Sequence, residues 1–416
     1  MSAVAPLRPG LRIGVLKPEV GVTGGFERVV GRVEAALRAD GHEVVRTSVD
    51  LNAVPHRPFG VEVPDAAWAA APEYFRHLAG VEAFEAVGTS HLDAVISTQP
   101  PSFATPHPHH LSLFFHHHRV YYDLEDVFIE AGYAADPELH RRAAARVRAL
   151  DQPRLDAVTW FAAGSETVRR RLGRFNGIDR VSLFHAGRAV GAEVDAPPPD
   201  APRRGPVLCV GRFEFPKRPE LFVAALRRLP QVPATLVGVG GRTAWVRAVD
   251  HRLARTGTDL DAVDERALWC CTGQDVTDPA PEGWASNIAL AGSVDDATLT
   301  HLYATAPCVV APALDEDYGL TAVEAMAHGA PVVVCEDGGG LADLVDHEVD
   351  GLVVPPTGAA LAGAVERILT DPDLAATLSA GARARAAGVT WARAEDEVRL
   401  ALAIALDAAE PATAVG

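Results

Sequence analysis

The chain has 416 residues, 48% hydrophobic and 22% charged. That balance excludes a disordered chain, and the length suits two domains, each with its own core. With 38 basic and 55 acidic residues the net charge is −17, which argues against nucleic acid or anionic membrane as a bulk partner, so any anionic ligand needs a local basic site.

The N-terminus has no charged head followed by an apolar core, and no apolar run reaches the roughly 18 residues of a spanning helix. The five cysteines include one adjacent pair, Cys270 and Cys271, and no CxxC. Reduced, mostly buried thiols and a cytoplasmic address are expected. Peripheral membrane contact stays open.

Along the chain, short apolar runs alternate with stretches of helical spacing. In the first half, strands are predicted at 11–17, 42–49, 92–97, 111–115, 157–162 and 181–184. Helices are predicted at 26–39, 67–86, 137–150 and 165–174. A proline-rich linker follows at 195–206 and marks a domain boundary. The pattern then restarts, with strands at 207–210, 234–239, 288–291, 308–311 and 331–335. Helices are expected at 219–229, 297–306, 321–328 and 359–369, with a tail helix at 391–408. The stretch 256–286 has no clear period and reads as an insertion. Strands alternating with helices mean βαβ units and parallel sheets. The expected fold class is α/β, two doubly wound Rossmann-like domains facing across a cleft, with ligands at the carboxyl ends of strands.

Three segments carry candidate chemistry. Gly24 and Gly25 (GGFER) sit between the first strand and first helix. There they serve either a plain βα turn or an anion at the helix N-terminus. The GxGxxG dinucleotide fingerprint is not present there, which weakens a hydride-transfer reading. Arg212 and Lys217 (GRFEFPKR) follow the first strand of the second half. A guanidinium fork and a lysine point charge five residues apart suit a diphosphate. The third segment is DEDYGLTAVEAMAHGAPVV, beginning at Asp315. Glu316 falls on a loop and reaches forward to a sugar. Glu324 falls on the next helix, where a carboxylate can hold the vicinal hydroxyls of a ribose. Gly319 permits close approach, and the N–H groups near Leu320 and Thr321 can face a phosphate. Alternatively Glu324 is a helix surface charge. The triplet Asp315–Asp317 is open to two further readings, a solvated acidic turn or a metal-binding DxD.

The E-x7-E pair Glu316 and Glu324, with YGLTAVEAMAHGAPVV, VGRFEFPKR and GGFER, resembles the retaining glycosyltransferases of family 4, which have the GT-B fold. The resemblance covers nearly the whole chain. It implies that Arg212 and Lys217 bind the donor diphosphate, Glu324 the ribose and Glu316 the donor sugar. It also implies that the backbone of Tyr318, Gly319, Leu320 and Thr321 approaches sugar and phosphate, and that Gly24 and Gly25 face the diphosphate. The AGSV turn around Gly292 and Val294 resembles the base-contacting turn. The implied domains are 1–194 on the acceptor side, 206–388 on the donor side, and a final helix, 389–416, that crosses back to the first domain.

Six of the 16 histidines lie between His107 and His118. Metal binding is a natural thought for such a run. However, no cysteine is close, and adjacent histidines on an extended segment cannot all point one way. The resemblance implies instead that one histidine lines the sugar site. His116 comes first after the strand and is the choice, with His117 next. The expected function is transfer of a sugar from a GDP- or UDP-sugar to an acceptor hydroxyl, catalysed by Glu316, His116, Arg212 and Lys217 without a metal or other cofactor. A non-catalytic nucleotide-sugar binding subunit and a phosphorylase or synthase on the same fold are the alternatives.

Overall fold

In the computed structural model, the residues described are 7–21, 25–187, 203–255 and 259–408. They form two compact units. One comprises Met1–Ile129, Ala134–Ala186 and Trp391–Gly416, the other Glu130–Tyr133 and Gly187–Thr390. Most of the predicted linker, 195–202, lies outside the described residues.

The first unit is built on a parallel sheet of β1 (Arg12–Glu19), β2 (Glu43–Asp50), β3 (Ala94–Ser97), β4 (His110–Phe114), β5 (Trp160–Ala163) and β6 (Val181–Leu183), in the order β2-β1-β3-β4-β5-β6. Every residue of β3 and β4 is buried, as expected for parallel strands covered on both faces. The helix Gly25–Ala39 buries Val29, Val30, Val33 and Leu37, a 3–4 spacing that puts them on one face. The terminal helix Trp391–Asp407 packs on β4 and β5 through a stripe including Ala394, Val398, Ala401 and Leu402.

Two predicted helices of this unit differ from the sequence reading. The helix predicted at 67–86 is two helices, Asp65–Ala70 and Pro72–Glu85, broken at Ala71 (φ −146°, ψ 58°). Pro72 drives its predecessor out of the helical region. The helix predicted at 137–150 runs on to Ala157, so β5 starts later than expected. Its start is fixed by Asp136, whose side chain accepts from the Leu139 N–H.

The second unit repeats the scheme with β7 (Val207–Val210), β8 (Ala234–Val237), β9 (Ile288–Gly292), β10 (Val309–Ala311), β11 (Val332–Cys335) and β12 (Gly351–Val354), in the order β12-β11-β10-β7-β8-β9. The pairings are again parallel. Strand β12 and the helices Thr243–Arg255 and Pro372–Ala387 have no counterpart in the sequence reading. Strand β12 is four residues long, and the second of these helices is alanine-rich with a weak apolar stripe. Within 256–286 the described regular structure is a single 3-10 turn, Leu260–Ala262, and a short helix, Glu265–Trp269.

The chain leaves β7 for β8 and β9 on one side, then returns to build β10, β11 and β12 on the other. The strand order therefore reverses between β7 and β10, and open parallel sheets take their ligands beside the carboxyl ends of the strands at such a reversal. Cys209, Cys308 and Cys335 are buried in this unit, and burial pushes each thiol up to about 12. Cys270 and Cys271 are half-buried. Among the described residues no helix is long and apolar enough to cross a membrane.

Candidate functional site

The loops that follow β7 and β10 meet at the strand-order reversal. A 3-10 turn, Phe215–Lys217, ends the first loop and presents Lys217. Its ammonium donates to Oε2 of Glu316 on the second loop. Both side chains are partly exposed, 32% and 16%, so the pair is reachable from solvent. Arg212 stands exposed on the same loop as Lys217, and its guanidinium makes no ion pair among the described residues. The structure thus joins Lys217 to Glu316 by an ion pair that does not include Arg212.

The frame beneath the pair is made by a residue the sequence reading passed over. Arg218 is completely buried and left-handed (φ +49°), a conformation that costs an ordinary side chain. That turn sends consecutive side chains different ways, Lys217 outward and Arg218 inward. The Arg218 guanidinium donates to Pro312 O (2.6 Å), to Ala313 O (3.2 Å) and to both carboxylate oxygens of Asp337 (2.8 and 2.6 Å). It also lies 5.1 Å from the Trp269 ring centroid. One side chain thereby ties the loops after β7, β10 and β11 together. The Glu316 loop is gripped further by backbone bonds: Asp315 N to Asp337 O (2.7 Å), Glu316 N to Gly338 O (2.9 Å) and Gly340 N to Glu316 O (2.7 Å).

The helix Leu320–Ala327 starts from Gly319, at φ +102°. A Cβ there would stand 2.6 Å from Leu341 Cδ2, so both the turn and the packing require glycine. Tyr318 is buried, and Leu320 and Thr321 are half-buried. Glu324 is only 8% exposed, and its Oε2 accepts from the Tyr303 hydroxyl at 3.2 Å. It is therefore not a solvated surface charge. Val294, half-buried, follows the end of β9. That end is tied to the loop after β8 by Gly238 N to Gly292 O (2.8 Å). Gly238 (φ +129°) also lies against the loop after β7, where a Cβ would come within 2.0 Å of Gly211 O.

In the first unit, Gly24 lies outside the described residues and Gly25 is the first residue of its helix. Phe26 meets Phe115 edge-on at 4.6 Å, which brings the start of that helix to the end of β4, beside His116. His116 is half-buried, with Nδ1 2.7 Å from His117 O. The other histidines have separate partners. His110 faces Ser97 Oγ (2.8 Å), and burial pushes its imidazole down to about 3. His117 faces Asn176 Oδ1 (2.7 Å) and stacks on Tyr122, and burial pushes it down to about 4. His118 approaches His77 (3.2 Å) and Glu73 (3.5 Å). Among the described residues no group of three or more His, Cys, Asp or Glu side chains is arranged to hold a metal ion.

Comparison with known proteins bears on the family match and the fold. Residues 204–371 match the family described as Glycosyl transferases group 1. The D-inositol 3-phosphate glycosyltransferase of Jonesia denitrificans is 32% identical over 197 residues, 46% of this chain and 41% of that protein. A protein of the same name from Saccharomonospora viridis is 41% identical over 99 residues, 24% of this chain and 23% of that protein. The chain thus spans well under half the length of these curated relatives. Among solved structures, sucrose-phosphate synthase from Thermosynechococcus elongatus superposes with a TM-score of 0.64 at 21% identity, over 93% of this chain and 97% of that one. HepE of Anabaena in complex with UDP-glucose gives 0.56 at 17%, over 94% and 98%. The fold is that of the GT-B glycosyltransferases, two Rossmann-like domains each built on a parallel sheet.

Proposed function

We propose that this chain is a retaining glycosyltransferase that moves a sugar from a GDP- or UDP-sugar to an acceptor hydroxyl. The observation that carries the reading is the Lys217–Glu316 pair at the strand-order reversal of the second unit. It offers one cation to a leaving diphosphate and one carboxylate to sugar hydroxyls. Arg212 adds a second cation, and Glu324 a carboxylate for the ribose. Residues 206–388 supply this donor site, and 1–194, which carry His116, the acceptor side. The UDP-glucose complex of the structurally similar HepE supports a nucleotide-sugar donor.

In the reaction the bond between the sugar's anomeric carbon and the diphosphate oxygen breaks, and the acceptor oxygen bonds to that carbon. The acceptor proton passes to the leaving diphosphate. Arg212 and Lys217 stabilise the charge that develops on it, which is the electrostatic part of the catalysis. Two cations suffice for that role, so activity is expected to survive EDTA. Glu316, engaged by Lys217, acts as a hydrogen-bonding group for the sugar. Attack then comes from the face the diphosphate leaves, and configuration is retained.

The test is a thermal-shift screen against UDP-, GDP-, ADP- and dTDP-sugars. A ligand at 100 times its dissociation constant adds about 2.7 kcal/mol of stability. Inositol 3-phosphate, named for the relatives above, is the first acceptor to try with the donor that shifts the transition. Proton NMR of the product then reads its anomeric configuration. A shift with NAD and none with any nucleotide sugar overturns the reading.

A further inference from the structure

We propose that Tyr303 is a positioning residue of the donor site, its hydroxyl fixing the carboxylate of Glu324. The inference rests on the reading of Glu324 as a donor contact.

Tyr303 lies near the end of the helix Asp296–Thr305 and is fully buried. Its hydroxyl donates to Glu324 Oε2 at 3.2 Å. On the same helix the Thr321 hydroxyl donates to Val210 O at the end of β7 (3.5 Å). Thr321 and Glu324 are three residues apart and so share one face of Leu320–Ala327. Burial, followed by the Glu324 charge, holds this phenol well above the usual tyrosine range, so it stays a donor.

The tyrosine is itself immobilised. Its ring stacks on the His328 ring at 6.0 Å with an interplanar angle of 8°, and His328 follows Glu324 by four residues. Its backbone carbonyl accepts from Arg203 at 3.0 Å, and Arg203 also donates to His328 O. A single guanidinium thus pins the ends of both helices. With Oε2 of Glu324 bound to a fixed phenol, the carboxylate cannot turn freely about its last bond. A carboxylate meant to meet two vicinal hydroxyls gains from being held in one orientation beforehand. None of this is visible if Tyr303 is treated as an ordinary core aromatic, for which phenylalanine would serve.

The experiment is calorimetry on wild type, Tyr303→Phe, Glu324→Gln and the double variant, with UDP, GDP and inorganic pyrophosphate as probes. Tyr303→Phe keeps the ring and its stack on His328, so the fold is retained. The expected result is a loss of about five- to tenfold in affinity for the nucleoside diphosphate that wild type binds, the worth of one hydrogen bond. Pyrophosphate, which has no ribose, should bind both proteins equally. In the Glu324→Gln background the tyrosine change should have little further effect. Unchanged nucleotide affinity in Tyr303→Phe overturns the inference. So does an equal loss for pyrophosphate, or a full loss persisting in the double variant, since either means general slackening of the helices. Wild type that binds neither nucleoside diphosphate sinks the donor-site reading itself, a separate outcome.

Discussion

Lys217 and Glu316, 99 residues apart in the chain, are each other's counter-ion. A diphosphate that reaches Lys217 competes with Glu316, and a sugar hydroxyl that reaches Glu316 competes with Lys217. Glu316→Gln should release the lysine, leaving nucleoside diphosphate affinity equal or higher. Turnover should nevertheless fall at least tenfold, about 1.4 kcal/mol of barrier. Lys217→Met should instead weaken nucleotide binding by about 1.5–3 kcal/mol, the range for a charged hydrogen bond. Calorimetry and turnover on both variants separate the roles. Wild-type turnover in Glu316→Gln would refute the sugar contact.

Arg212 allows a cleaner separation of binding from folding. It is exposed and makes no ion pair among the described residues. Arg212→Ala should change stability by less than about 0.5 kcal/mol. Affinity for UDP or GDP should drop at least tenfold. Urea unfolding and calorimetry on the same preparation check both halves.

Asp337 should behave in the opposite way. It neutralises a guanidinium that is wholly buried, although its own side chain is 36% exposed. Asp337→Ala leaves Arg218 with two carbonyl partners and no counter-charge. Breaking one side of a buried pair costs about 3–5 kcal/mol, and partial exposure of Asp337 sets the expectation at about 3. The loss should appear in urea unfolding. Stability within 0.5 kcal/mol of wild type (roughly the scatter of a neutral surface change) would mean that Arg218 needs no partner there.

His117 gives a pH test. Burial lowers its folded pKa from 6.5 to about 4, so the unfolded chain binds this proton more readily than the folded one. The stability it contributes is fully present above pH 6.5 and is lost as pH falls toward 4. Each pH unit in that window removes about 1.4 kcal/mol. Compared with His117→Gln, wild type should lose about 1 kcal/mol of its advantage between pH 6.5 and 5.5, because the unfolded imidazole is already half protonated at pH 6.5. Parallel stability curves for the two proteins would show that the buried imidazole does not titrate as described.

Much of this site was legible because strand ends and residue types announce themselves. VLCV followed by GRFEFPKR reads as a strand delivering cations, and that is where Arg212 and Lys217 stand. The glutamates Glu316 and Glu324 were legible by type and spacing. The frame around them was not. In the pair Lys217-Arg218, sequence alone does not tell which side chain turns inward. The left-handed backbone at Arg218 and an Asp337 119 residues away decide it. Tyr303 was hidden for a similar reason. Its helix has almost no amphipathic pattern, and the importance of its hydroxyl depends on a second helix it meets only in the fold. Short strands such as β12 and alanine-rich helices such as Pro372–Ala387 escape because their periodicity is weak, not because they are poorly packed.

The distribution of the cysteines makes the second unit its own reporter. Cys209, Cys308 and Cys335 belong to the covered interior, whereas Cys270 and Cys271 follow Trp269, the ring against which Arg218 rests. Alkylating reagents should therefore mark the chain in two phases. Modification at Cys270 and Cys271 times the loosening of the segment over Arg218, and modification at the other three times the melting of the whole sheet. Mass spectrometry of pulse-labelled protein can then follow the frame beneath the Lys217–Glu316 pair separately from the fold that carries it, with no engineered label.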